Sequence, residues 1–190
     1  DETKIISTIL SRTQLIKINR VEQEEIVQWL VQKESVPNDK AKTIAAISDG
    51  NIREALHLLH HADEDWFDIL REWLNAILKN GPAAQIKWID DISKLGREKQ
   101  KQFLAYFTHL LSTAIHENLL GKSSGAGEKE VDFAQRFNKI AAPEQLEAIV
   151  NELDKASYYI ERNANPKLLF MALTLKIYHI IKDKSVILIN

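Results

Sequence analysis

The sequence contains no cysteine, a single methionine, four prolines and six glycines among its 190 residues, and its formal net charge is only -2. Without cysteine the chain holds no disulfide and no thiolate zinc site, which fits a reducing compartment. Without an excess of basic charge there is no global electrostatic pull toward nucleic acid, so any DNA contact has to be local or made by a partner. No apolar run is long enough to span a bilayer and no signal peptide is visible, so membrane insertion is not expected. The chain opens on Asp1 and its one methionine is Met171, which leads us to expect the C-terminal part of a longer protein. What is present, 45% hydrophobic and 27% charged residues, is ordinary for one or two small globular domains able to bury a core.

The stretch Ser48-Asp49-Gly50-Asn51-Ile52-Arg53-Glu54-Ala55-Leu56 organises the first part of the chain. Gly50 can take the left-handed conformation that closes one helix. Asn51 is a good N-cap for the next, and Glu54 stands where a capping box would have it reach back to the Asn51 amide. Arg53 then lies in a first turn where the helix dipole disfavours a cation. Two readings follow: an anion such as phosphate joins the arginine and the free amides, or the arginine is simply solvated.

In chain order, residues 3–10 read as a short helix, 11–13 break it, and 15–18 read as a brief strand; residues 1–20 are expected to be the remnant of a sheet-containing domain. From Val21 the period turns helical, with Val21, Ile26, Trp29 and Leu30 on one side and Glu22, Glu24 and Glu25 in the first turns. Residues 35–37 end that helix, residues 39–47 form a second, and Asn51 opens a third. A compact three-helix domain over 21–62 is therefore expected, followed by a helical bundle over 63–190.

In that second part Asp63 or Asp65 caps a helix carrying Trp66, Ile69, Leu70, Trp73, Leu74 and Ile77, which Gly81-Pro82 stops. Ile86, Ile89, Ile92 and Leu95 trace the next. Phe103, Phe107, Leu110, Leu111, Ala114 and Ile115 trace a long helix to about Leu120, and residues 121–128 have loop composition. Val131, Phe133, Ala134 and Phe137 mark a short helix, Pro143 opens another through Leu146, Ile149, Val150, Leu153 and Ile160, and Asn165-Pro166 opens the last. Over 168–181 apolar residues surround nearly the whole circumference, the pattern of a helix buried on all sides in a bundle or at a subunit interface. The fold class expected is all-α. The apolar tail 186–189 has no reading.

Catalytic constellations are scarce. Gly121-Lys122-Ser123 is not a phosphate-binding loop, because His116 stands where that loop needs a glycine and a helix leads in where it needs a strand. His57, His60 and His61 lack a completing cysteine or acid, and read as surface histidines rather than metal ligands. Asp90 and Asp91 diverge around a helix, Asp63, Glu64 and Asp65 read as N-terminal charge, and no nucleophile, base and orienting group can be assembled. The four tryptophans fall at core spacing, for packing rather than base stacking.

Three stretches carry a resemblance. Thr8-Ile9-Leu10-Ser11-Arg12-Thr13-Gln14 resembles the "TI-x-SRCQ" segment of clamp-loader AAA+ subunits. Residues 49–56 resemble their sensor-2 segment, "GG-x-x-R-x-AL", at the right distance. Asn163-Ala164-Asn165-Pro166-Lys167-Leu168-Leu169 resembles the start of the last helix of the bacterial collar domain. Thr13 replaces the usual cysteine and Asn51 the second glycine. The whole chain thus resembles the lid and collar of a bacterial DNA polymerase III clamp-loader subunit, most like the delta-prime kind, with the phosphate-binding loop, the Mg-binding motif and the zinc cysteines expected upstream of Asp1.

The resemblance implies a three-helix AAA+ lid and a helical collar that oligomerises with the other clamp-loader subunits, gamma/tau and delta. The complex would load the sliding clamp on primed DNA during replication, in the cytoplasm, as part of a DNA polymerase holoenzyme. Arg12 would be an arginine finger acting on the neighbouring subunit, and Arg53 a sensor-2 residue near nucleotide. ATP and Mg would belong to the parent complex, with no cofactor, metal or catalysis in this portion. Alternatives are the gamma/tau ATPase of the same complex, the lid of another AAA+ enzyme, and a free-standing helical interaction module without nucleotide chemistry.

Overall fold

The computed structural model describes residues 12, 19–48, 50–60, 66–120 and 128–182. The expected helix over 3–10, strand over 15–18, caps Asp63 and Asp65 and tail over 186–189 lie outside the described residues, as does the expected loop over 121–128 apart from Glu128, which begins a helix. Those residues form an all-α protein of nine helices with no strand. They are α1 (Gln23–Glu34), α2 (Asn38–Ser48), α3 (Ile52–His60), α4 (Trp66–Asn75), α5 (Pro82–Ser93), α6 (Arg97–Leu120), α7 (Glu128–Phe137), α8 (Pro143–Glu161) and α9 (Pro166–Lys182).

Helices α1 to α3 come first in the chain, share one continuous apolar core with the later helices, and have ends set by local chemistry. Helix α1 starts two residues later than Val21, because Glu22 is extended (φ -64°, ψ 146°) and its carbonyl accepts the first helical bond from the Ile26 amide, while the Val21 amide donates to the Gly50 carbonyl at 3.1 Å. Ser35 ends α1 in the left-handed conformation (φ 55°), and the Val36 amide donates back to Leu30 O at 3.2 Å. The link between Val21 and Gly50 ties the entry of α1 to the turn before α3.

Gly50 has φ +78°, and a Cβ there would meet Arg20 Cβ at 2.6 Å and Val21 O at 2.9 Å. Both the conformation and the close approach require glycine. At Gly96, with φ +82°, a Cβ would meet nothing within 4 Å. We therefore expect Gly96→Ala to cost about 1 kcal/mol for the backbone conformation alone, and Gly50→Ala roughly 2–3 kcal/mol or more once the contact with Arg20 and Val21 is added. Urea denaturation of the two variants side by side checks this, and equal losses would remove the close-packing argument.

The bundle is built around α6. Its Phe103, Leu104, Phe107, Leu110, Leu111 and Ala114 are fully buried, and α8, α7 and α2 all pack on it. Trp73 of α4 and Trp88 of α5 stack at 4.6 Å, 5° from parallel, and Phe103, Phe107 and Phe170 surround Trp73. The tryptophans thus pack, as their spacing suggested. On α5, however, Trp88, Ile89 and Ile92 face the core while Ile86 is exposed, so that helix is rotated from the isoleucine stripe. Beyond Asn75 the chain continues through a π-helical turn, Ala76–Asn80, closed by Gly81 at φ 77°. The Gln85 side-chain amide donates to the Ala76 carbonyl within this wider turn at 3.2 Å.

Helix α9 is covered within this chain on one side. Phe170, Leu173, Thr174, Ile177, Ile180 and Ile181 are buried against α5 and α8, but Leu168 is 72% and Leu175 48% exposed, and Tyr178 is partly so. The helix is apolar all round yet covered on one side only among the described residues. Lysines on its two flanks are held by neighbouring helices, Lys167 to Asp90 of α5 at 2.7 Å and Lys176 to Glu152 of α8. Asp90 and Asp91 diverge as expected, the latter pairing with Lys94 at 3.0 Å. Burial opposes ionisation of Glu152, but hydrogen bonds from Lys155 and Lys176 outweigh it and hold the carboxyl below its ordinary value. No helix among the described residues is long and apolar enough to cross a membrane.

Candidate functional site

A groove of about 1160 Å³ lies between the turn before α3 and helix α6. One wall is the turn before α3 together with Asn19, Arg20 and Val21. The other is the polar face of α6, where Lys101, Gln102, Ala105, Thr108, His109 and Ser112 recur at three- and four-residue intervals opposite the buried phenylalanines and leucines. A long helix with one strongly apolar face and one largely polar face packs on the first and leaves the second to line a cleft.

Arg53 lies on the rim, exposed, in the first turn of α3. The cap beside it is half of the box expected from sequence. The Asn51 side-chain oxygen accepts from the Glu54 amide at 3.2 Å, but the Asn51 amide donates to Ser48 O at 2.9 Å instead of to Glu54. The Glu54 carboxylate is drawn across the groove, where it accepts from Gln102 Nε2 at 2.7 Å. The first intrahelical bond of α3 is Ala55 N–H to Asn51 O, so the amides of Ile52 and Arg53 precede the helical ladder at the groove edge.

Electrostatically the cleft is mixed. Arg20, Arg53 and Lys101 share it with Glu98, Asp154 and Glu161, and Lys101 pairs with Glu161 at 3.1 Å. Such a lining favours water and polar ligands. No group of three metal-ligating side chains exists among the described residues.

The sequence-predicted residues are distributed as follows. Arg53 faces the groove rim, whereas Arg12 is an exposed turn residue that does not line it. His57 is exposed on α3, and His61 lies outside the described residues. Sequence reasoning missed the polar face of α6, although its spacing was there to be read beside the Phe103 and Phe107 stripe. It also missed Thr43 and Glu130, which meet across 87 positions, since no local signal links them.

Comparison with protein-family models, curated proteins and solved structures finds no match to this chain.

Proposed function

We propose that the chain is the lid and collar of a bacterial DNA polymerase III clamp-loader subunit of the delta-prime kind. In this reading it scaffolds, in the cytoplasm, the ring that loads the sliding clamp onto primed DNA, and its partners are the gamma/tau and delta subunits. ATP and Mg act in the parent complex, and this portion contributes no catalysis of its own. The order and spacing of the three motifs in the sequence support the family reading. The observation that carries the scaffold role is the uncovered apolar face of α9, Leu168 and Leu175 with Tyr178, opposite the buried face of the same helix. Helix α6 spends most of its apolar residues inside the bundle, apart from Leu119 near its end, and α9 does not.

The double variant Leu168→Asp/Leu175→Asp is therefore expected to keep its helical circular dichroism but bind gamma and delta at least 100-fold more weakly, because each buried carboxylate would lack a partner. Arg53→Ala should co-purify normally, its side chain lying at the groove and away from that face. Unchanged co-purification of the double variant would remove α9 from the interface. Failure of the unaltered subunit to bind gamma and delta would remove the clamp-loader reading. The same open face would then favour the second reading, a free-standing helical interaction module.

A further inference from the structure

Asn80-Gly81 is the only asparagine–glycine pair in the sequence. It closes the π-helical turn that follows α4, immediately before Pro82 opens α5. Asn80 is exposed, and its side chain makes no hydrogen bond among the described residues. Gly81 has φ +77°, and a Cβ there would meet nothing within 4 Å. The flank of its peptide nitrogen is therefore open, because glycine carries no side chain and no neighbour crowds it. The Ala76 carbonyl, five residues back and so the π-helical acceptor for that nitrogen, also receives the Gln85 side-chain amide at 3.2 Å. It keeps a donor when the Gly81 proton is lost.

The other described asparagines lack this combination. The Asn51 and Asn165 side-chain oxygens accept from the Glu54 and Leu168 amides, and the Asn138 side chain donates to Ala114 O. Asn165 also precedes Pro166, which has no N–H. After Asn163 the Ala164 amide is held by Tyr159 O at 3.0 Å. The rest precede residues whose Cβ covers the nitrogen that would have to react.

We propose that Asn80 is a site of spontaneous modification, in which its side-chain amide is converted to a carboxylate through a cyclic imide. The Gly81 nitrogen gives its proton to solvent base and attacks Asn80 Cγ. A bond forms between that nitrogen and Cγ, the bond from Cγ to the side-chain nitrogen breaks, and the latter leaves as ammonia with a proton from water. Water then opens the ring. Breaking the new bond to Cγ leaves aspartate, whereas breaking the original peptide bond leaves isoaspartate, with the chain running through Cβ and Cγ. Nothing is oxidised or reduced, and no partner is needed. Either product puts a negative charge at the C-terminal end of a helical segment, where the dipole disfavours it. Isoaspartate also lengthens the backbone between α4 and α5, the helices whose Trp73 and Trp88 stack.

The full chain is incubated in mildly alkaline buffer and digested with pepsin in acid, where ring closure is suppressed. Fragment masses locate each exchange of NH2 for OH, and a carboxyl methyltransferase specific for isoaspartate reports that product. We expect Asn80 to react roughly tenfold faster or more than the exposed Asn118 and Asn151, since ring closure is intramolecular and only here is the attacking nitrogen uncovered. Isoaspartate should rise in step. Asn80→Gln, whose extra methylene demands a larger ring, should lose both signals at this position. Equal rates at Asn80 and Asn151 overturn the proposal. So does an Asn80 that reacts in the urea-unfolded chain but not in the folded one, because the π-helical turn would then protect the pair. A mass gain without isoaspartate overturns it as well, since water would then have attacked the side chain directly.

Discussion

Replacing Trp73 with alanine is expected to destabilise the protein by about 3–5 kcal/mol, a large part of the 5–15 kcal/mol that usually holds a domain together. Trp73 is fully buried, and its ring is stacked on Trp88 and ringed by three phenylalanines drawn from α6 and α9. Removing it opens a cavity where α4, α5, α6 and α9 meet, and neighbours already in close contact can collapse into it only in part. The indole also makes a long-range bond, Nε1–H donating to Thr174 Oγ1 at 2.9 Å, between residues 101 apart. Thr174→Val should cost about 1–3 kcal/mol by leaving that buried N–H without an acceptor. Trp73→Phe should then cost less in the Thr174→Val background than alone, because the stranded donor is gone. Urea denaturation of the four proteins measures this cycle, and a Trp73→Ala midpoint equal to that of the parent would refute the core assigned here.

The second large effect is expected at Arg12 and rests on the proposed clamp-loader role. In the full-length subunit Arg12→Ala should leave assembly intact while ATP turnover at the neighbouring site falls by about 10³-fold, the lower end of what arginine fingers contribute. A guanidinium suits the task because it stays charged and offers forked donors to the oxygens of a transferring phosphoryl group. Arg12 is exposed in a turn and so is available to another subunit. Steady-state ATPase and clamp-loading assays on the reconstituted complex read the effect. Normal loading by the variant would make Arg12 an ordinary surface residue, with Thr13 in place of cysteine as the sign that the motif had drifted.

Helix positions and the all-α class were legible in the chain because their causes are local. Gly50 and Gly81 sit at positive φ where turns were read, and Pro143 and Pro166 open α8 and α9. The long stripe from Phe103 to Ala114 is the core face of α6, as its spacing indicated. These features depend on residues within about four positions, the reach of a helical hydrogen bond and of a cap.

The departures have a common cause in contacts made from far away along the chain. The expected capping box is half made because Gln102, 48 residues on, competes for the Glu54 carboxylate. Helix α5 turns Trp88 inward and Ile86 outward because the Trp88 ring stacks on Trp73 and its N–H donates to Ile69 O at 3.0 Å. The apolar circumference of α9 told that the helix seeks cover, but only the arrangement of α5 and α8 decided that Leu168 and Leu175 are the residues left without it. By itself the sequence determined where helices begin, end and carry their apolar stripes, since a period and a cap are written within a turn or two. The tertiary structure alone decided which stripe is covered, that the polar face of α6 lines a groove, and that Thr43 meets Glu130, because burial and long-range hydrogen bonds are properties of neighbours that the chain brings together only when it folds.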